Sequence, residues 1–179
     1  MTICFTFIAS STLAYFTTER TAHNVITSGG VDIKLVETAL DGHSNEQSVI
    51  STIKPGSKYN KIVQVKNTGN KDAWVRLKIS SEIKTSDGRV LPEKNENAYS
   101  ILDFELENAW TLGADGYYYY QNPLPADEST SNLFEHASFS KTMGNEYQNA
   151  NVSLKISAQA VQTANNGPSI SDATGWPGD

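Results

Sequence analysis

Cysteine is nearly absent. The 179 residues hold one, Cys4, inside a short apolar run at the start. If that run is removed on export, neither a disulfide framework nor a cysteine zinc site is available. Among exported proteins, such usage fits a Gram-positive bacterium. Long apolar runs are missing too. None reaches the roughly 20 residues that a membrane-spanning helix needs, so no stable membrane insertion is expected of the mature chain. Basic blocks are missing as well: the net charge is −6, and lysines sit singly, as in Val31-Asp32-Ile33-Lys34-Leu35. An acidic chain of this kind is a poor partner for nucleic acid or an anionic membrane surface.

Catalytic signatures are equally scarce. His23, His43 and His136 stand apart from one another, and neither H-E-x-x-H nor G-x-S-x-G occurs. No glycine-rich phosphate loop follows a predicted strand. Asp103, Glu105 and Glu107 alternate along one strand face. Calcium takes ligands that converge from loops, so this row reads as a solvated face. No catalytic, cofactor-binding or metal-binding residue is assigned, and no cofactor is expected.

Helical periodicity is also lacking. No segment repeats apolar residues three and four apart over a dozen positions, although Asn97 to Leu102 can form a single turn. What fills the chain is period-two alternation. Val31, Ile33 and Leu35 oppose Asp32 and Lys34. Val63 and Val65 oppose Gln64 and Lys66. Val75, Leu77 and Ile79 oppose Arg76, Lys78 and Ser80. Leu102, Phe104 and Leu106 repeat the pattern, as do Val152, Leu154, Ile156, Ala158 and Ala160. One apolar and one wet face per strand indicates antiparallel sheets.

Turn chemistry separates these runs. Lys54-Pro55-Gly56-Ser57, Asn67-Thr68-Gly69-Asn70 and Asp87-Gly88 are breaks. Gly113-Ala114-Asp115-Gly116 joins Trp110-Thr111-Leu112 to Tyr117-Tyr118-Tyr119-Tyr120 as a hairpin. Residues 121–132 hold two prolines and read as loop. The fold class is therefore all-β: an antiparallel β-sandwich with long loops and a short helical turn. Four consecutive tyrosines put two rings on each face. They fill core and outer face, or they form an aromatic platform for sugar or a partner. Residues 164–179, rich in Asn, Gly, Ser and Pro, read as a loose tail, with Trp176 folding back onto the body.

The start is read as a leader. Residues 1–13 carry no charge and match the length of a signal-peptide apolar region. Thr12 and Ala14 are small residues at the −3 and −1 positions of a cleavage site, so residues 1–14 are expected to leave and Tyr15 to become the N-terminus. No Lys or Arg precedes the run, so the leader reads as truncated. The competing reading is a buried first strand. Residues 15–24, YFTTERTAHN, contain neither Pro nor Gly and can lie extended. Tyr15, Phe16, Thr17 and Thr18 head this candidate assembly strand, ahead of a sandwich domain over residues 25–163.

Thr12-Leu13-Ala14-Tyr15-Phe16-Thr17, followed by Asn24 to Ile33 (NVITSGGVDI), resembles the start of the TasA/camelysin family. Ile53-Lys54-Pro55-Gly56, Val65 to Asn70, Ala73 to Arg76 and Ala160-Val161-Gln162 are similar to later pieces of that family. The resemblance implies a jelly-roll sandwich, cleavage by a SipW-type signal peptidase, and secretion to the extracellular matrix or cell surface. It further implies a biofilm-fibre or accessory role, the N-terminal segment passing to another copy or a related matrix protein. A second reading is a secreted binding module, with Trp74, Trp110 and exposed tyrosines contacting polysaccharide or a surface partner. A third, from camelysin, is a metallopeptidase, which no metal-binding motif here supports.

Overall fold

A computed structural model describes residues 24–28, 30–38 and 49–177. It shows an all-β, sandwich-like body. Two long strands form its spine: β6 (Ala73–Lys84) and β12 (Asn151–Gln162), paired antiparallel along all twelve residues. On one side of β6 lie β10 (Tyr118–Tyr120) and β9 (Trp110–Leu112), the predicted hairpin. Two short strands, β7 (Val90–Leu91) and β3 (Val49–Ile50), pair with the far ends of β6 and β12. The outer edge of β12 also holds β1 (Asn24–Ser28), which runs parallel to it from Asn24 opposite Ser157 to Ser28 opposite Val161. Every other ladder among the described residues is antiparallel.

The opposing layer contains β2 (Ile33–Thr38) on β5 (Ile62–Asn67), and β11 (Phe134–Phe139) between β4 (Lys58–Asn60) and β8 (Leu102–Leu106). β4 and β5 are separated at Lys61, whose ammonium pairs with the Glu37 carboxylate. Backbone bonds join the two pieces of this layer. Thr130 N–H donates to Val65 O at 2.9 Å and Leu133 N–H to Val63 O at 2.8 Å. The stretch expected to be loop over 121–132 therefore ends as a strand-like neighbour of β5. Its prolines, Pro123 and Pro125, sit before that pairing begins and cost it no donor.

Alternation explains the core. Ile33, Leu35, Val63, Val65, Val75, Leu77, Phe134 and Ile156 meet between the layers. A second cluster at the other end holds Ile53, Ile83, Ile101, Phe139, Tyr147 and Val152. Phe104 stacks on Phe134 with centroids 4.4 Å apart and packs against both clusters. Buried side chains of this size contribute about 1.5–3 kcal/mol each.

Two sequence expectations are corrected. Asn97 to Leu102 makes no helical turn; Ala98 adopts φ +63° in a turn closed by Asn95, and 3₁₀ turns occur instead at Asn145–Tyr147 and Ile170–Asp172. The tail is not loose through residue 177. Ile170 and Trp176 pack on Trp74 and Val161 as a third apolar cluster. Among the described residues, no helix is long and apolar enough to cross a membrane.

Candidate functional site

The tail changes the meaning of one sheet face. Strand alternation makes Trp74 and Arg76 point away from the sandwich core, as do Gln159 and Val161. Yet Ala73–Leu77 and Ala158–Val161 are buried at every position. The inward residues face the other layer, and the outward ones lie beneath the tail. Register then lines up Thr111, Tyr119, Arg76 and Gln159 across β9, β10, β6 and β12.

Arg76 is the centre of this row and is 3% exposed. Its guanidinium lies 4.0 Å from the Tyr117 ring centroid and 4.6 Å from that of Trp176. Cation–π contacts of this kind contribute about 0.5–2 kcal/mol each. Its Nε donates to Gln159 Oε1 at 2.7 Å, and Nη1 donates to Tyr119 Oη at 3.4 Å. The Tyr119 hydroxyl donates in turn to Asp115 Oδ2 at 2.7 Å. That bond holds the Asp115 carboxyl below the usual carboxylate range, while burial pushes the Tyr119 hydroxyl up. A carboxylate lowered by folding stabilises above its unfolded pKa and loses that contribution as pH falls through the folded value. The Asp115–Tyr119 link therefore weakens as pH falls through the lowered Asp115 value, and again in strong base where the Tyr119 hydroxyl ionises.

Beside the row lies a cavity of about 480 Å³ between the β9–β10 hairpin and the tail. Thr111, Tyr119 and Gln121 lie on the hairpin side; Ile170, Ser171 and Trp176 line the tail side. A Cβ at Gly113 would stand 2.6 Å from Asp115 Oδ1 and 2.8 Å from Tyr119 Cε2, so a side chain there would displace both groups. The tyrosine run splits as its spacing requires. Tyr118 and Tyr120 pack on the core, whereas Tyr117 and Tyr119 serve the outer face.

The other sequence-derived candidates fall elsewhere. Trp74 and Trp110 are 3% and 4% exposed, and their indole N–H groups donate to Asn166 O and Ser131 O. Neither presents a ring to a ligand. His136 lies on β11, its Nδ1 2.8 Å from Asn60 Oδ1. With Glu105, Glu107 and Glu135 it lines a second cavity of about 310 Å³. Among the described residues, no group of three or more His, Cys, Asp or Glu is placed to hold a metal. Thr12, Ala14, Tyr15, Phe16, Thr17 and Thr18 lie outside the described residues, as do Cys4, His23 and His43.

Two stretches of the motif resemblance meet in space. Thr68 N–H and Gly69 N–H both donate to Asp32 O, at 2.9 and 3.0 Å. A Cβ at Gly69 would stand 2.8 Å from Asp32 N, so glycine permits the approach. Asn67 is fully buried and bridges the turn: Nδ2 donates to Lys71 O at 2.7 Å and Leu124 O at 3.1 Å, and Oδ1 accepts from Gly69 N–H at 3.0 Å. These residues close the sandwich rather than form a reactive site.

The segment that joins β1 to the body contains Gly30, at φ +75°, the left-handed region that favours glycine. Along the outer edge of β12, β3 covers Val152 and Ser153 and β1 covers Ser157 to Val161. Among the described residues, only Leu154, Lys155 and Ile156 separate them on that edge. Arg76 and its tail clamp were invisible to strand patterning, which reads Arg76 as a solvated residue; Trp176 was the one available signal. Comparison with protein-family models, with curated proteins and with solved structures finds no match to this chain.

Proposed function

We propose that the chain is an exported structural subunit of the extracellular matrix or cell surface, of the TasA/camelysin kind. In this reading it assembles head to tail by passing residues 15–24 to a neighbouring copy. The observation that supports it is the placement of β1. This strand begins the described body on the outer edge of β12 and runs parallel to it, with Asn24 opposite Ser157 and β3 farther along the same edge. Among the described residues, three β12 positions lie between β1 and β3, a length of three residues in register. A longer segment that continues along this edge meets β3. Residues 15–23, fully extended, span roughly 30 Å, enough to reach a second body.

Energetics favour a rooted donor. Burying one aromatic ring contributes about 1.5–3 kcal/mol, and each backbone hydrogen bond about 1 kcal/mol. Ordering ten free residues costs about 10–20 kcal/mol, which nearly cancels the gain. A segment already tied down at Asn24 has less freedom to lose. A donated end reaching the next body gives a head-to-tail contact, which generates filaments when it does not close. An uncut leader holds the segment back, and cleavage releases it.

Protein recovered from the medium of the native cells is expected to begin at Tyr15, as read by N-terminal sequencing. A soluble cytosolic chain that retains residues 1–14 contradicts the proposal.

A further inference from the structure

We propose that the groove between the β9–β10 hairpin and the C-terminal tail binds a neutral saccharide chain. Its volume, about 480 Å³, lies within the range of roughly 300–1,000 Å³ that small-ligand sites occupy. The groove opens to solvent along Thr111, Asp115, Gln121 and Ser171, all exposed, so a ligand can reach it from the surface. Charge decides the class of ligand. Arg76 is the cation and Asp115 the anion of the lining, 3.9 Å apart and joined through the Tyr119 hydroxyl. The guanidinium is sandwiched between Tyr117 and Trp176, with Gln159 on its Nε. A charged ligand would enter opposite a balanced pair and surrender its hydration without a dedicated partner.

What the groove does offer is mixed in character. Thr111 and Ser171 carry hydroxyls and Gln121 an amide, while Tyr119 and Ala173, with the edges of the largely buried Ile170 and Trp176, supply apolar surface. Sugar rings present the same mixture, with C–H faces that pack on apolar walls and hydroxyls that exchange hydrogen bonds at the rim. The site is independent of the assembly mode proposed above. A copy lacking residues 15–23 retains every residue of the groove.

Titration of the full chain with β-1,4-linked hexamers of glucose and of N-acetylglucosamine tests the proposal, read by tryptophan fluorescence and by NMR shifts. An acidic hexuronate hexamer serves as the third arm. Saturable binding to at least one neutral hexamer is expected. Thr111→Trp, which fills the groove from an exposed strand position, is expected to weaken it by about tenfold or more, close to 1.4 kcal/mol. Ser171→Trp repeats the block from the tail side and stands in if the first variant does not fold. Absence of saturable binding to either neutral hexamer at millimolar concentration overturns the assignment. So does neutral binding that a folded blocking variant leaves unchanged, or tighter binding of the acidic hexamer.

Discussion

Replacing Asn67 by alanine is expected to lower folding stability by about 3 kcal/mol. The side chain is fully buried and makes three hydrogen bonds, two as donor to Lys71 O and Leu124 O and one as acceptor from Gly69 N–H. Alanine removes all three bonds at once, although Gly69 N–H keeps Asp32 O and Leu124 O keeps the Ala73 N–H. Three lost hydrogen bonds at about 1 kcal/mol each set the total. In a body of this size the midpoint of thermal unfolding should fall by about 6–12 °C. Urea unfolding of the two proteins checks the value. Asn67→Asp keeps the acceptor but loses both donors, and should fall nearly as far. A loss below about 1 kcal/mol for both variants contradicts the role given to this side chain.

This residue also shows what strand patterning reaches and what it does not. Period two located β5, β6, β8 and β12 and chose their inward residues correctly, because a half-buried strand writes its burial directly into alternate positions. The turn block Asn67-Thr68-Gly69-Asn70 was legible as a break. Its closure on Asp32 was not, since a long-range bond to backbone leaves no period in the sequence. The parallel register of β1 was hidden for the same reason. Arg76 fails differently. It occupies a position that alternation marks as wet, and a tail more than eighty residues downstream dries it by folding over the sheet. Low apolar content over 164–179 suggested looseness. Two residues, Ile170 and Trp176, suffice to dock the segment, with Asn166 binding Gln162 O and Thr174 to tie its turns.

Arg76→Ala is expected to release that tail and to cost about 2–3 kcal/mol, from two ring contacts and the bond to Gln159. The guanidinium fills the space between Tyr117 and Trp176, so its removal opens both the floor of the groove and the seat of the tail. Gln159, 8% exposed, loses the partner of its Oε1, although its Nε2 still donates to Pro177 O at 3.0 Å. Hydrogen exchange should report the change locally. The Thr174 amide, bonded to Asn166 Oδ1, should exchange faster by about tenfold or more, while amides of β5 change little. Arg76→Lys keeps the charge but not the flat surface between two rings, and should recover only part of the protection. Equal exchange at Thr174 in wild type and Arg76→Ala contradicts the clamp.

Assembly through the N-terminal segment is the claim on which the function rests. Electron microscopy of purified protein that begins at Tyr15, beside protein that begins at Asn24, tests it most directly. Fibres are predicted for the longer form alone, with the shorter remaining monomeric at the same concentration. Identical fibres from both forms, or monomers from both at high concentration, contradict it.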